Sequence, residues 1–153
     1  MNRDDLIDFV YDEAAAIDQM RWDDWLALFH KDGRYWMPQD DPVLQPSLMY
    51  EDRLLLTVRV ERLAGERTFS QKPKSRCHHL MERPRVLSMG EDDGVYKLRT
   101  SFIYTETRGD LLERFSGWVS HELVAVDGAL QIKLKRIDLI NFDAPFSNIQ
   151  LFI

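Results

Sequence analysis

The hydrophobic pattern of the chain changes period once, near Arg76. Before that point apolar residues recur every three or four positions; after it they alternate with polar ones. A period near 3.6 marks helices that bury one stripe, and a period of 2 marks strands that bury one face. Helices followed by a run of long strands give an α+β order, with the helices packed on one side of a strongly curved antiparallel sheet. The 153 residues suit one domain spanning 1–153. With 44% hydrophobic and 30% charged residues, the composition is that of a folded globular protein, not a disordered one.

In the helical part, Asp4 and Asp5 stand where they can cap a first helix and favour its positive end, and Leu6, Ile7, Val10, Ala14 and Ile17 form its stripe. A second helix is predicted from Trp22 to His30, with Trp22, Trp25, Leu26 and Phe29 on one face. Lys31-Asp32-Gly33 reads as a turn, and Arg34 to Met37 as a brief strand stopped by Pro38. Gln39 to Ser47 reads as an ordered loop. Tyr50, Leu54, Leu55, Val58 and Leu63 mark a third helix, followed by a polar loop from Ala64 to Ser75.

In the strand part, Cys77 to Met89 is a strand in which Pro84 demands an edge or a bulge. Gly90 to Gly94 is a hairpin turn, and Val95 to Arg108 alternates, with Tyr96, Leu98, Phe102 and Tyr104 on one face. Leu112 to Val126 follows, with a bend at Gly117, and Asp127-Gly128 is a tight hairpin signal. The last strand, Ala129 to about Phe142, changes phase from Leu130, Ile132, Leu134 to Ile137, Leu139, which predicts a bulge near Lys135-Arg136.

Charge and cysteine content exclude several classes. The 20 basic and 26 acidic residues give −6, divided as −9 up to Asp52 (4 against 13) and +3 beyond it (16 against 13). The densest basic run, Lys72-Pro73-Lys74-Ser75-Arg76, lacks interleaved aromatics, so no nucleic-acid footprint is expected. The split is compatible with docking to a copy of the chain or to another protein, and equally with a solvated face. The acidic start, Met1-Asn2-Arg3-Asp4-Asp5, is unlike a signal peptide, and no apolar run approaches the ~20 residues of a membrane span, so a cytoplasmic protein without membrane contact is expected. A single cysteine, Cys77, forbids an internal disulfide, a zinc ribbon and an iron–sulfur cluster.

No catalytic signature stands out. His78-His79 invites a metal reading, but neighbours on a strand point to opposite faces; His30 and His121 are isolated, and no paired ligand spacing or phosphate loop occurs. Cys77 beside these histidines could be imagined as a nucleophile, though adjacent strand residues cannot generally form the required hydrogen bond. Trp22, Trp25, Tyr35 and Trp36 could line a ligand pocket or anchor a core or interface. Glu51-Asp52-Arg53 with His79 could form an acid–base site; the plainer reading of the triplet is an ion pair on a helix surface. Ile149 to Ile153 is apolar almost throughout, and packing on the core or on a partner would explain it.

Trp25-Leu26-Ala27-Leu28-Phe29, Tyr35-Trp36-Met37-Pro38, Tyr50-Glu51-Asp52-Arg53-Leu54-Leu55, Ser75-Arg76 with His79-Leu80, and Ile140-Asn141-Phe142-Asp143 resemble the small (beta) subunit of aromatic-ring-hydroxylating dioxygenases, in order and over essentially the whole chain. Glu82-Arg83-Pro84 departs from the regular strand expected there. The resemblance implies a cone-shaped roll of the nuclear-transport-factor-2-like type. It also implies assembly, as a trimer of small subunits within a mixed hexamer, with a large (alpha) subunit. That large subunit would carry a Rieske [2Fe-2S] cluster and a mononuclear Fe(II) that activate dioxygen for cis-dihydroxylation of an aromatic ring. One cysteine cannot hold a Rieske centre, and no two histidines and carboxylate are spaced for the iron. On this reading the chain is a structural partner with no catalytic, cofactor-binding or metal-binding residues of its own. The competing reading is a stand-alone cone-fold isomerase, dehydratase or hydrolase of a small hydrophobic molecule, using Tyr35, Asp52, His79 and Tyr104; a third is a ligand-binding domain without chemistry.

Overall fold

Asn2, not Asp4 or Asp5, starts the first helix. In the computed structural model, which describes residues 1–38, 49–65, 74–141, 149 and 151–153, the Asn2 side chain accepts from the Asp5 amide at 2.9 Å. The Asp5 carboxylate accepts from the Asn2 amide at 2.7 Å, a reciprocal capping box. Helix α1 (Arg3–Asp18) then buries Leu6, Ile7, Val10, Ala14 and Ile17, as the stripe predicts, and also Glu13, at the same helical spacing. The second helix, α2 (Trp22–Ala27), ends three residues before its expected limit. Strand β1 (Phe29–Met37) starts at once and runs through Lys31-Asp32-Gly33, which is an irregularity in strand pairing rather than a turn.

Tyr50 lies in a strand, not in the third helix. The short β2 (Met49–Asp52) pairs antiparallel with β1, and the Asp52 side chain accepts from the Leu55 amide at 2.9 Å to cap α3 (Arg53–Ala64). The loop expected over Gln39 to Ser47, most of that from Ala64 to Ser75, and the family-like Phe142-Asp143 lie outside the described residues.

The strand expected over Cys77 to Met89 is two strands, β3 (Ser75–Met81) and β4 (Arg85–Met89), separated at Glu82-Arg83-Pro84. Pro84 has no amide hydrogen to offer a ladder, so the edge breaks there. Both pieces pair with the same neighbour, β5 (Tyr96–Arg108), which hairpins into β6 (Leu111–Val126). Asp127 and Gly128 both have positive φ, 51° and 81°, the geometry of the tight turn that joins β6 to β7 (Ala129–Leu139).

The seven strands form one curved sheet in the order β2-β1-β7-β6-β5-β3, with β4 also paired to β5. It is mixed, not wholly antiparallel: β1 runs parallel to β7, while every other pairing is antiparallel. The phase change in β7 is real, but its bulge falls two residues earlier than expected. Ile132 pairs with Leu123 and Leu134 with Glu122, leaving Lys133 as the extra residue. The bulge turns Leu134 outward and brings Lys135, Ile137 and Leu139 to the buried face. The helices cover that face, α1 beside β3 and β4 and α3 beside β1 and β2. No helix among the described residues is long and apolar enough to cross a membrane.

At Gly117 the sheet has no room for a side chain. A Cβ there would lie 2.0 Å from the Asp138 carbonyl oxygen across the β6–β7 ladder. Gly117→Ala is expected to force those strands apart at a cost of about 1–3 kcal/mol, read as a lower thermal midpoint with native secondary structure in the circular dichroism spectrum.

Candidate functional site

The concave face of the sheet and the three helices enclose an interior that brings together most of the chemistry-bearing residues. Tyr35 reaches it from β1, Tyr104 and Glu106 from β5, His121 from β6 and Lys135 from β7, because alternate strand residues share a face. Trp22 and Trp25 enter from α2, and Glu13 from α1.

Two polar clusters sit here. In the first, the Glu13 carboxylate is a buried hub: Oε1 accepts from Trp25 Nε1 at 2.7 Å and from the Lys135 ammonium. His121 Nε2 lies 3.5 Å from Oε2, and neither His121 ring nitrogen makes a hydrogen bond to a described residue. Burial alone would raise the Glu13 carboxyl, but the charge of Lys135 outweighs it and holds the group far below the usual carboxylate range. Burial pulls His121 down against the attraction of Glu13, so its ring is held neutral.

In the second cluster, Asp18 at the end of α1 accepts from the His79 amide at 2.9 Å and from His79 Nδ1 at 2.6 Å. The His79 ring packs 5.0 Å from that of Tyr104, whose hydroxyl donates to Glu106 at 2.8 Å. Burial, and then the negative Asp18, push the Cys77 thiol up to about 12, so a thiolate nucleophile is disfavoured at neutral pH. Burial likewise raises the Tyr35 and Tyr104 phenols far above their ordinary range.

Between these clusters runs the end of the sequence. Leu151, Phe152 and Ile153 are each at most 4% exposed. The Leu151 amide donates to Glu106 at 2.8 Å; the Tyr35 hydroxyl accepts from the Ile153 amide at 3.1 Å and donates to its carbonyl at 3.2 Å. Phe152 packs on Trp22, Trp25 and Tyr35. The apolar tail therefore packs on the core, the first of the two explanations its sequence allows.

The candidates read from sequence separate accordingly. Tyr35, His79 and Tyr104 meet the interior, but Asp52 lies on β2 at the opposite edge of the sheet from β3 and serves as a helix cap. The neighbouring Glu51 is a buried residue of β2 ion-paired with Arg59 of α3 at 2.6 Å, so the triplet does not form an ion pair on a helix surface either. Trp22, Trp25 and Tyr35 are core; Trp36 is on the outer face, 6.2 Å from Tyr50 and with the Arg136 guanidinium 4.6 Å above its ring. His78 is exposed and His79 turns inward, so the pair cannot chelate one ion. Among the described residues no three His, Cys, Asp or Glu side chains converge as a metal site, and one cysteine cannot ligate a Rieske cluster.

Residues 12–143 match the family model for the ring hydroxylating beta subunit. The chain belongs to that family. The beta subunit is 30% identical over 146 residues to the 2-halobenzoate 1,2-dioxygenase small subunit of Burkholderia cepacia, covering 90% of this chain and 87% of that one. The solved beta subunit of the benzoate 1,2-dioxygenase of Burkholderia mallei is similar over 99% of this chain and 98% of its own, with a TM-score of 0.80 and 25% identity. A naphthalene 1,2-dioxygenase structure shares the fold, with a TM-score of 0.80 at 16% identity, covering 94% of this chain and 81% of that one. Glu13, Asp18 and Glu106 are interior residues that the sequence reading did not name, and it gave His121 only as an isolated histidine and Lys135 only as the place of a bulge. The signals were present: Glu13 falls on the apolar stripe of α1, and Lys135 follows the phase change of β7.

Breaking the buried pair is expected to cost more than removing it. Lys135→Met alone leaves the Glu13 charge stranded and loses about 3–5 kcal/mol in urea unfolding, and adding Glu13→Gln recovers part of that loss. Acid is expected to destabilise the fold in two stages. The folded state resists protonating His121, so stability falls as pH drops through the ordinary histidine value of 6.5. It falls again below the ordinary carboxylate value of 4.5, where the unfolded chain takes up the proton that folded Glu13 refuses. His121→Leu removes the first stage in unfolding curves measured from pH 8 to 4.

Proposed function

We propose that this chain is the non-catalytic, structural small subunit of a multi-component aromatic-ring-hydroxylating dioxygenase. It assembles in the cytoplasm with a large subunit that carries the Rieske [2Fe-2S] cluster and the mononuclear Fe(II), and with two further copies of itself in a mixed hexamer. The substrate is an aromatic compound undergoing catabolism, and the oxygen chemistry takes place in the large subunit. The chain contributes no catalytic, cofactor or metal residues. Its role is to hold large subunits in the ring so that the cluster of one lies near the iron of its neighbour.

The observation that carries this reading, beside the family, is the filled interior. A cone-fold enzyme of the competing kind needs its acid–base residues to face a substrate; here Tyr35 and Glu106 hold the backbone of residues 151 and 153, and Phe152 occupies the aromatic centre. Apolar surface is instead available outside. Leu80, Leu87, Ile103, Trp118 and Ile140 are exposed on or beside the convex face, Leu87 by 64% and Ile140 by 61%. Contiguous exposed apolar residues of this kind mark contact surfaces.

Purification alone and with a large subunit tests the reading. The isolated chain is expected to be colourless, iron-free and inactive, and to co-purify with a large subunit whose ring-hydroxylating activity needs it. Turnover of a small hydrophobic substrate by the isolated chain, abolished in His79→Ala, would overturn it.

A further inference from the structure

Two pairs of like charges stand side by side on the surface, and neither pair has a counter-charge among the described residues. On the outer face of the sheet, Arg85 of β4 lies directly opposite Arg99 of β5, and both are exposed. Arg99 stacks 5.2 Å from the Trp118 ring, and no carboxylate among the described residues pairs with either guanidinium. On α1, Asp8 and Asp12 are one helical turn apart, exposed and equally unpaired. Like charges directly opposite in a ladder, or four apart on a helix, each destabilise the element that carries them. The next charge along each surface is already matched, Arg136 by Asp138 and Asp4 by Arg83.

We propose that these surfaces are the two halves of one contact between copies of this chain, with Arg85 and Arg99 of one copy seated on Asp8 and Asp12 of the next. The inference rests on the self-assembly proposed above and names the surfaces that meet. Their spacings agree. Directly opposed strand residues have Cβ atoms about 5 Å apart, and one helical turn advances about 6 Å, so each guanidinium reaches one carboxylate. Within a chain the pairs do not meet, because α1 packs against β3 and β4 on the inner face whereas Arg85 and Arg99 lie on the outer one. Each surface also has apolar area to bury: Leu87 and Trp118 beside the arginines, Tyr11 beside the aspartates. Tryptophan, tyrosine and arginine are the residue types that anchor protein contacts. The same complementarity runs through the whole sequence, acidic up to Asp52 and basic beyond it. A contact between different patches of identical chains is heterologous, and it builds a ring when its rotation closes, as three copies in a hexamer require.

Sedimentation of the full-length chain at low and high salt tests the contact by charge exchange. The parent is expected to self-associate at low salt and to dissociate as salt rises. Arg85→Glu with Arg99→Glu, or Asp8→Lys with Asp12→Lys, is expected to weaken self-association about a hundredfold or more while the circular dichroism spectrum stays native. Combining all four substitutions in one chain restores it. If a reversed chain does not fold, Arg85→Gln with Arg99→Gln is read in the same way, with a smaller loss. A monomeric parent, reversed pairs that leave assembly unchanged, or a fourfold variant that stays dissociated overturns the inference. So does a reversed arginine pair that keeps self-association but no longer binds a large subunit, because the row then belongs to that subunit. Failure of the parent to co-purify with any large subunit overturns the proposed function instead, and a successful charge exchange still supports this contact.

Discussion

Glu13 ties three parts of the chain to one buried carboxylate. It receives the Trp25 indole from α2 and the Lys135 ammonium from β7, and it sits in α1. A charge of either sign at this depth would be strongly disfavoured alone; together, with Trp25 supplying a further hydrogen bond, the two are mutually compensated. The pair exists because Lys133 bulges out of the β6–β7 ladder. Without that extra residue the strand would keep its earlier phase and Leu134 would face inward in place of Lys135. One inserted residue thus determines where α1 docks, and with it the position of Asp18, the anchor of His79 and β3.

The same interior puts to structural use the residue types that a small hydrolytic or isomerising enzyme would need. An Asp–His pair, two tyrosines and a buried glutamate are residue types from which acid–base sites are built. Here each has a structural use. Asp18 joins α1 to β3, Glu106 joins Tyr104 to the end of the chain, and Tyr35 closes on Ile153. Burial moves the ionisation of both tyrosines further from neutral pH, which suits groups that fix geometry rather than move protons. On the outer surface, by contrast, tryptophans and arginines are stacked and leucines are exposed, which suits the assembly proposed above.

Much of this was legible in the amino-acid sequence. Period 3.6 located α1 and period 2 located β5 and β6, because burial of one face is a local pattern. Asp127-Gly128 located its hairpin because few residue pairs tolerate two positive φ angles. The single cysteine excludes a Rieske cluster ligated by this chain alone, by counting. Boundaries were less legible. Asp52 sits between a strand and a helix and caps the latter, so Tyr50 seemed to share the apolar spacing of α3, and the turn-like Lys31-Asp32-Gly33 is an irregularity inside β1. In both places strand pairing with a distant partner overrides the local signal.

What the sequence determined by itself is the order of elements, the face each long strand buries and the absence of a second thiolate; these follow from side-chain period and composition. What the tertiary structure decided is which residues meet. The parallel pairing of β1 with β7 sets two segments about a hundred residues apart side by side, and the bulge at Lys133 selects which cation enters the core. Residues 151–153 enter the same interior, where Phe152 packs against Trp22, Trp25 and Tyr35. Such contacts join distant positions, and no local period encodes them, because each depends on the curvature of the whole sheet and on the space left inside it.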